Sequence, residues 1–208
     1  MTLTPVPDGW IGTVVTHLEM SAPPHVEIPP SPLALAPWPT PDPDAYRALF
    51  RAVGGSWLWY SRLLMSDEAL AAATHRAETQ VHVALESGSG EPVGLLELTH
   101  PEPDWCALDF LGLVPVWIGR GQGRWLLANA LALAWRAGVT FIRVNTCTLD
   151  HPAALPNYLR AGFRVTGRSV ETFPDPRLSG VLPPGIAPHA PVASPARGTV
   201  AAGTSPAS

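Results

Sequence analysis

The sequence predicts a mixed α/β fold, in which antiparallel strands precede alternating helices and strands. Two strand-like segments flank Ser87–Gly90, whose Ser-Gly-Ser-Gly composition is typical of a hairpin turn. A third strand follows, and from residue 122 the pattern changes to helix, strand, helix and strand. This order is typical of a mixed central sheet with helices packed on its faces.

The composition fits one domain that binds neither nucleic acid nor a membrane. The chain has 208 residues, 46% of them hydrophobic, which is enough to bury a sizeable core. The net charge is -4 and every cationic residue is arginine, which argues against polyanionic partners and excludes lysine chemistry. The longest strongly apolar run, Trp125–Trp135, is too short to span a bilayer. Cys106 and Cys147 lack metal-binding or disulfide spacing, so we expect no metal and a cytoplasmic location.

Proline divides the chain into a domain and a tail. Residues 1–45 hold eleven of the 25 prolines, but two β-like runs, Ile11–Met20 and Leu33–Trp38, lie among them. We therefore expect a single domain over residues 1–171 that includes an extra N-terminal strand. Residues 172–208 are rich in Pro, Ala, Gly and Ser, which predicts a disordered and dispensable tail.

The elements of the domain follow from periodicity and end signals. Asp42 and Pro43 begin a helix whose apolar residues recur at helical spacing until Gly54 and Gly55 end it. The later elements are a short helix after Ser66, strands Thr79–Glu86, Pro92–His100 and Trp105–Val114, helix 122–136, strand Phe141–Thr148, helix 152–161 and a strand from Phe163.

A glycine-rich loop at residues 119–124 is the first functional signal. Gly119, Gly121 and Gly123 alternate between a strand and a strongly apolar helix. Glycine lets backbone N–H groups converge, and a helix N-terminus adds about half a positive charge, so the loop suits a pyrophosphate. A turn that merely redirects the chain is the alternative. A dinucleotide-binding loop is disfavoured, because Arg124 stands where its last glycine would be.

A second motif lies one strand and one helix downstream. Ala154, Tyr158, Gly162 and Phe163 fit the pattern N-x-x-A-x-x-x-Y-x-x-x-G-F, and Gly121 and Gly123 fit Q/R-x-x-G-x-G/A. With both motifs the chain resembles the GNAT superfamily of N-acetyltransferases over about residues 32–171. It looks closest to a bacterial branch that carries T-C-T-L-D-H-P-A-A-L-P, seen here as Thr146–Pro156.

The resemblance implies a GNAT acyltransferase fold, with acetyl-CoA as the acetyl donor and a small-molecule or peptide amine as the acceptor. It also allows a homodimer. The implied cofactor-binding residues lie at the end of the predicted strand Trp105–Val114, in the glycine loop and around the second motif. They are Leu111, Leu113, Val114, Gly119, Arg120, Gly121, Gln122, Gly123, Arg124, His151 and Tyr158.

Three positions depart from the family pattern. Ile118 replaces a Gln or Arg near the phosphates, and His151 replaces the usual Asn. Ala107 stands where relatives often carry a glutamate that acts as the general base. These departures leave a second hypothesis open, a GNAT-like module that binds acyl-CoA or a protein without turnover.

Two carboxylates can replace the missing base. Glu97 lies in an apolar run on the neighbouring strand, and Asp109 lies two residues from Ala107 on the same strand face. Either could take the proton of the amine, or water could do so without them. The family resemblance gives Tyr158 the role of the acid that protonates the leaving thiolate, and we expect Asp150 to cap the last helix.

Selection of the acceptor is expected from the aromatic cluster after the first helix. Trp57, Trp59 and Tyr60 lie where this fold places the acceptor wall, although clustered aromatics also serve as core. The N-terminal strand with His17 either completes the sheet or borders the acceptor site, and the sequence leaves both open.

Overall fold

One seven-stranded mixed sheet organises the protein, in the order β2-β3-β4-β5-β6-β1-β7. The structure is a computed structural model and describes residues 3–25 and 27–193. The strands are β1 (Trp10–Met20), β2 (Leu33–Pro37), β3 (Thr79–Glu86), β4 (Pro92–Glu102), β5 (Trp105–Leu113), β6 (Phe141–Cys147) and β7 (Arg164–Pro174). The helices are α1 (Pro43–Gly54), α2 (Asp67–Thr74), α3 (Gln122–Ala134) and α4 (Ala154–Arg160). The predicted mixed α/β fold is confirmed.

Helix α1 begins and ends where its sequence signals predict. The Asp42 carboxylate accepts hydrogen bonds from the backbone N–H groups of Asp44 and Ala45, at 3.1 and 3.0 Å, and Pro43 needs no partner in the first turn. The predicted apolar face is buried against the sheet: Tyr46, Leu49, Phe50 and Val53. Helix α3 covers the opposite face with Leu126, Ala130 and other apolar residues. The sheet therefore has a core on each side.

Strand β1 completes the sheet. It pairs antiparallel with β6 on one side and with β7 on the other, so His17 lies opposite Asn145 and Gly167. The first strand of the chain therefore lies between its last two strands in the sheet. Odd-numbered residues of β1, such as Thr13 and Val15, also line a cavity, so the strand both completes the sheet and borders that cavity.

Strands β5 and β6 separate halfway along their length. Their parallel pairing runs from Trp105 opposite Phe141 to Leu108 opposite Val144 and then stops, although both strands continue. At that point the β4–β5 register shifts between Glu97 and Leu98, which leaves Asp109 as an extra residue in β5. A bulge of this kind bends the strand and increases its twist. A wedge therefore opens between the second halves of β5 and β6.

The prediction of a disordered tail from residue 172 is wrong for the part that the structure describes, 172–193. Strand β7 continues to Pro174, and Leu182 and Ala187 are each 1% exposed in a cluster with Phe173 and Leu58. The remaining residues, 194–208, lie outside the described part of the chain.

Polar interactions explain how this segment folds with few large apolar residues. Arg177 forms a buried ion pair with Asp175 at 2.7 Å. Its guanidinium also donates to the backbone carbonyls of Ile186 and Ala187, at 3.1 and 3.2 Å. The hydrogen bonds from Arg177 lower the pKa of Asp175, which keeps the pair ionised. Composition alone could not reveal this pairing.

Within the described residues, no helix is both long and apolar enough to cross a membrane.

Truncation after Glu171 is expected to destabilise the protein by several kcal/mol. The truncation removes Phe173 and Leu182 from their cluster, and burying such a side chain stabilises by about 1.5–3 kcal/mol. It also removes the Asp175–Arg177 pair. A matched truncation after Ala193 removes none of these contacts and should leave the melting temperature nearly unchanged. Equal melting temperatures for the two truncated proteins would contradict this packing.

Candidate active site

The wedge between β5 and β6 holds a cavity of about 550 Å³. The second half of β5, the glycine loop, the first turn of α3, the end of β6 and α4 form its walls. Backbone groups of β5 beyond Leu108 face this gap without a partner strand on the β6 side. Such an unpaired strand edge can hydrogen-bond an extended ligand.

The glycine loop forms one end of the cavity. Gly119 and Gly121 both have φ of +79°, a left-handed conformation that side chains other than glycine rarely adopt. Nothing lies within 4 Å of a Cβ built at either position, so the backbone faces open space. Gly121 is also the residue before α3, whose first N–H groups have no acceptor within the helix. The loop and helix together suit an anion.

Eight of the eleven predicted cofactor-binding residues line this cavity: Leu111, Leu113, Gly119, Gly121, Gly123, Arg124, His151 and Tyr158. The other three make different contacts. The Val114 N–H donates to the Val93 carbonyl at 2.9 Å, and the Arg120 guanidinium lies 5.2 Å from the Trp117 ring centre. Gln122 accepts from the Ser31 hydroxyl at 2.6 Å. None of these three residues lines the cavity.

Tyr158 reaches the cavity from α4. Its side chain is 8% exposed and its ring packs edge-on against Phe163, with ring centres 5.7 Å apart. Burial raises the pKa of the phenol above its ordinary value, and the negative charge of Asp150 raises it further. The hydroxyl therefore stays protonated at neutral pH and is able to donate a proton.

Asp150 supports the site instead of capping the last helix. Its carboxylate accepts from the Thr146 hydroxyl at 2.8 Å, the Cys147 N–H at 2.9 Å and the Trp59 indole N–H at 3.3 Å. The expectation that it caps α4 is wrong, because Ala153 precedes the helix there. Asp150 instead ties the end of β6 to the aromatic cluster.

His151 orders the loop that precedes α4. Its Nδ1 accepts a hydrogen bond from the Ala153 N–H at 3.1 Å, so the imidazole is engaged with its own loop. The ring also packs edge-on against Trp57, with ring centres 5.1 Å apart. His151 therefore joins α4 to the aromatic wall.

Glu97 is held in a buried cluster on the α1 face. It is 0% exposed, pairs with Arg62 and accepts a hydrogen bond from the Tyr46 hydroxyl. Burial raises the pKa of Glu97, while Arg62 and Tyr46 act in the opposite direction. Its carboxylate does not line the cavity of the wedge or the smaller cavity beside it. The chain therefore uses Glu97 to fix Arg62 and α1.

Asp109 lies at the bulge and lines the wedge cavity. Its side chain is exposed there, yet the surrounding protein raises the pKa of its carboxyl by desolvation, while Thr99 and Arg62 lower it. Among the carboxylates proposed from the sequence, Asp109 is the one that reaches the cavity. Its position two residues from Ala107 follows from the alternation of β5, and the register shift at Asp109 is the part that sequence does not reveal.

The aromatic cluster forms the wall beside the wedge. Leu58 has φ of 59°, a left-handed conformation that reverses the chain between Trp57 and Trp59. Both tryptophans consequently line the wedge cavity. The indole of Trp59 lies so close to Gly54 that a Cβ there would come within 2.3 Å of the ring. Glycine at position 54 therefore lets the indole approach the helix.

A second cavity of about 270 Å³ adjoins the first. The two share residues from the aromatic wall, β5, β6 and the following loop: Trp57, Trp59, Phe110, Asn145 and Asp150. Tyr60 and Glu171 line only the second cavity. Sequence reasoning missed Asn145, Phe110 and Glu171, and the alternation of their strands is the signal that could have placed them on one face.

The sequence profile of the Acetyltransferase (GNAT) family matches residues 33–163. A GCN5-related N-acetyltransferase from Sphaerobacter thermophilus is similar in structure, with a TM-score of 0.61, 19% identity, and coverage of 79% of this chain and 53% of that chain. A tandem GNAT protein from the clavulanic acid biosynthesis pathway gives a TM-score of 0.57, 19% identity and coverage of 77% and 53%. The chain thus spans about half the length of these two proteins. The sequence matches no curated protein.

A splayed mixed sheet with a glycine loop beside the gap defines an acyltransferase fold. Because the profile covers more than half of the sequence, the chain belongs to the GNAT acetyltransferase family. The resemblance predicted from the two motifs is confirmed at the level of the family and its fold.

Proposed function

We propose that the protein transfers an acetyl group from acetyl-CoA to a primary amine by direct attack of the amine on the thioester. The observation that carries this proposal is one cavity lined by the glycine loop, Tyr158 and Asp109 together. An anion site, an acid and a base are the groups that such a transfer requires.

The residues of the wedge fit acetyl-CoA as donor. Open space beside Gly119 and Gly121 gives room for phosphate oxygens against the backbone, and Arg124 adds a positive charge nearby. The unpaired β5 edge beyond Leu108 offers N–H and C=O groups to the amide groups of an extended donor arm. Leu111 and Leu113 supply apolar contact along this arm. Because backbone groups do most of this binding, the replacement of the usual Gln or Arg by Ile118 should lower the affinity for acetyl-CoA only slightly.

The proton transfers of the reaction give Asp109 and Tyr158 their separate roles. An ammonium must lose a proton before its nitrogen can attack, and the carboxylate of Asp109 takes it. The new amide bond forms as the bond from carbonyl carbon to sulfur breaks. The nitrogen releases its second proton to solvent, and the hydroxyl of Tyr158 gives a proton to the departing thiolate. Solvent then deprotonates Asp109 and reprotonates Tyr158. Asp109 thereby replaces the glutamate that the family often carries at the position of Ala107.

The cysteines support direct attack and a reducing location. Burial raises the pKa of Cys106 to about 12, and burial together with the charge of Asp150 raises that of Cys147. Neither thiol is therefore ready to act as a nucleophile at neutral pH. Both are free, which suits the cytoplasm that we propose as the location.

A GNAT-like module without turnover is the alternative function. Ala107 and His151 favour it, because they replace residues that often serve the reaction. The exposed carboxylate of Asp109 and the buried phenol of Tyr158, both on the same cavity, favour the enzyme. Release of free thiol from acetyl-CoA in the presence of a panel of amines separates the two functions.

Acetyl-CoA is expected to raise the melting temperature. Ligand at one hundred times its dissociation constant stabilises a protein by about 2.7 kcal/mol. Gly121→Val should abolish the shift, because a β-branched residue cannot adopt the left-handed backbone that shapes the loop. Gly88→Val, in an open turn remote from the cavity, is the matched control and should keep the shift. No shift for the parent protein would contradict acetyl-CoA binding.

Asp109→Asn is expected to remove the acidic limb of the pH–rate profile. The base works as a carboxylate, so the rate rises with pH through its pKa, and desolvation raises that pKa above the ordinary range. Glu97→Gln should keep the limb but destabilise the protein by about 3–5 kcal/mol, because it breaks a buried ion pair. Loss of the limb in the Glu97 variant alone would return the role of base to Glu97.

Tyr158→Phe is expected to lower kcat by roughly 10²–10⁴ while the affinity for acetyl-CoA changes little. The substitution removes a hydroxyl and leaves the ring packed against Phe163. Single-turnover kinetics and titration calorimetry measure the two quantities. An unchanged kcat would show that water protonates the thiolate, and a large loss of affinity would assign the hydroxyl to binding.

A further inference from the structure

We propose that the acceptor is a linear diamine, one end of which reacts in the wedge cavity while the other end binds as an ammonium beside Glu171 in the second cavity. This proposal rests on the proposed acetyl transfer and adds the substrate class. The two cavities adjoin and have five lining residues in common, so the two ends of one extended molecule are placed to occupy them together.

The charge of the second cavity selects for a cation. Asp150 and Glu171 are the charged side chains of the described residues that line it. Asp150 is already satisfied by its three hydrogen bonds from Thr146, Cys147 and Trp59. Glu171 is exposed and takes no part in the ion pairs of the described residues. One carboxylate therefore remains available to a ligand, and an acceptor with its own carboxylate would be repelled.

The arginines near Glu171 do not compete for it. Along β7, residues alternate between the two faces, so Arg168 lies on the opposite face from Glu171. On the same face as Glu171, Arg143 pairs with Glu19 at 3.1 Å and lies over the rings of Trp105 and Phe141. Neither arginine therefore forms an ion pair with the carboxylate of Glu171.

Aromatic rings complete a site for an ammonium. Tyr60 stacks on Phe173 with ring centres 4.9 Å apart and 26° between the planes. Tyr60 and Glu171 line the same cavity, and the charge of Glu171 adds to the effect of burial in raising the pKa of Tyr60. Trp57 forms another part of the wall, fixed between His151 and His189 at 5.1 and 5.6 Å. A cation over such rings is stabilised by their quadrupole.

The spacing of the sheet sets the length of the acceptor. Glu171 lies opposite Thr13 on β1, and β1 separates β7 from β6. Two strand spacings amount to about 10 Å. The reacting amine must pass beyond β6 into the wedge, so a diamine as short as putrescine does not reach both ends, whereas longer members of the series do.

The test uses thiol release from acetyl-CoA with linear diamines of increasing length, each compared with the monoamine of the same length. We expect kcat/KM for the longer diamines to exceed that of their monoamines by about tenfold. Glu171→Gln should remove this preference by raising KM for the diamine, with kcat and the monoamine nearly unchanged. Glu102→Gln, an exposed glutamate outside both cavities, is the matched control and should keep the preference.

No preference for diamines in the parent protein would overturn the proposal, as would an equal loss for both amine classes in the Glu171 variant. If no amine is acetylated, titration calorimetry with the longest diamine tests binding at Glu171 independently of acetyl transfer. Binding to the parent protein that the Glu171 variant loses supports the site while the proposed acetyl transfer fails. No binding to the parent protein overturns the site itself.

Discussion

The separation of β5 from β6 is the feature on which the rest of the site depends. A parallel pair normally continues while both strands last, but here pairing stops at Leu108 and Val144. The bulge opposite Glu97 and Leu98 bends β5 at this point, and Asp109, the extra residue, lines the cavity that opens there. One distortion therefore opens the cavity, frees a strand edge for a ligand and presents a carboxylate to it.

Distant parts of the chain hold the walls of this gap in place. Strand β1 fills the sheet between β6 and β7, so that the side chains of Thr13 and Glu171 border the same cavity. The segment after β7 packs Leu182 and Ala187 against Leu58, whose left-handed backbone orients Trp57 and Trp59. Both ends of the domain thus stabilise the walls of the second cavity, while the middle of the chain supplies most of the wedge cavity.

Local patterns predicted the elements well, because caps, prolines and glycines act on neighbouring residues. Helix α1 begins at Pro43 as predicted, and the glycine loop adopts the left-handed backbone that glycine permits. Two features escaped prediction because they depend on contacts between distant residues. Glu97 stands in an apolar run because Arg62 pairs with it, and residues 172–193 are ordered because Arg177 binds Asp175 and two carbonyl groups. Neither of these two ion pairs can be inferred from composition or periodicity.

Hydrogen exchange of the β5 backbone tests the central claim most directly. If the donor lies along the unpaired edge, acetyl-CoA should slow amide exchange in residues 109–114 and in the loop 119–124. Strand β3, remote from the gap, should exchange at the same rate with and without acetyl-CoA. Protection confined to other parts of the chain, or none at saturating acetyl-CoA, would contradict the claim that the wedge between β5 and β6 is the donor site.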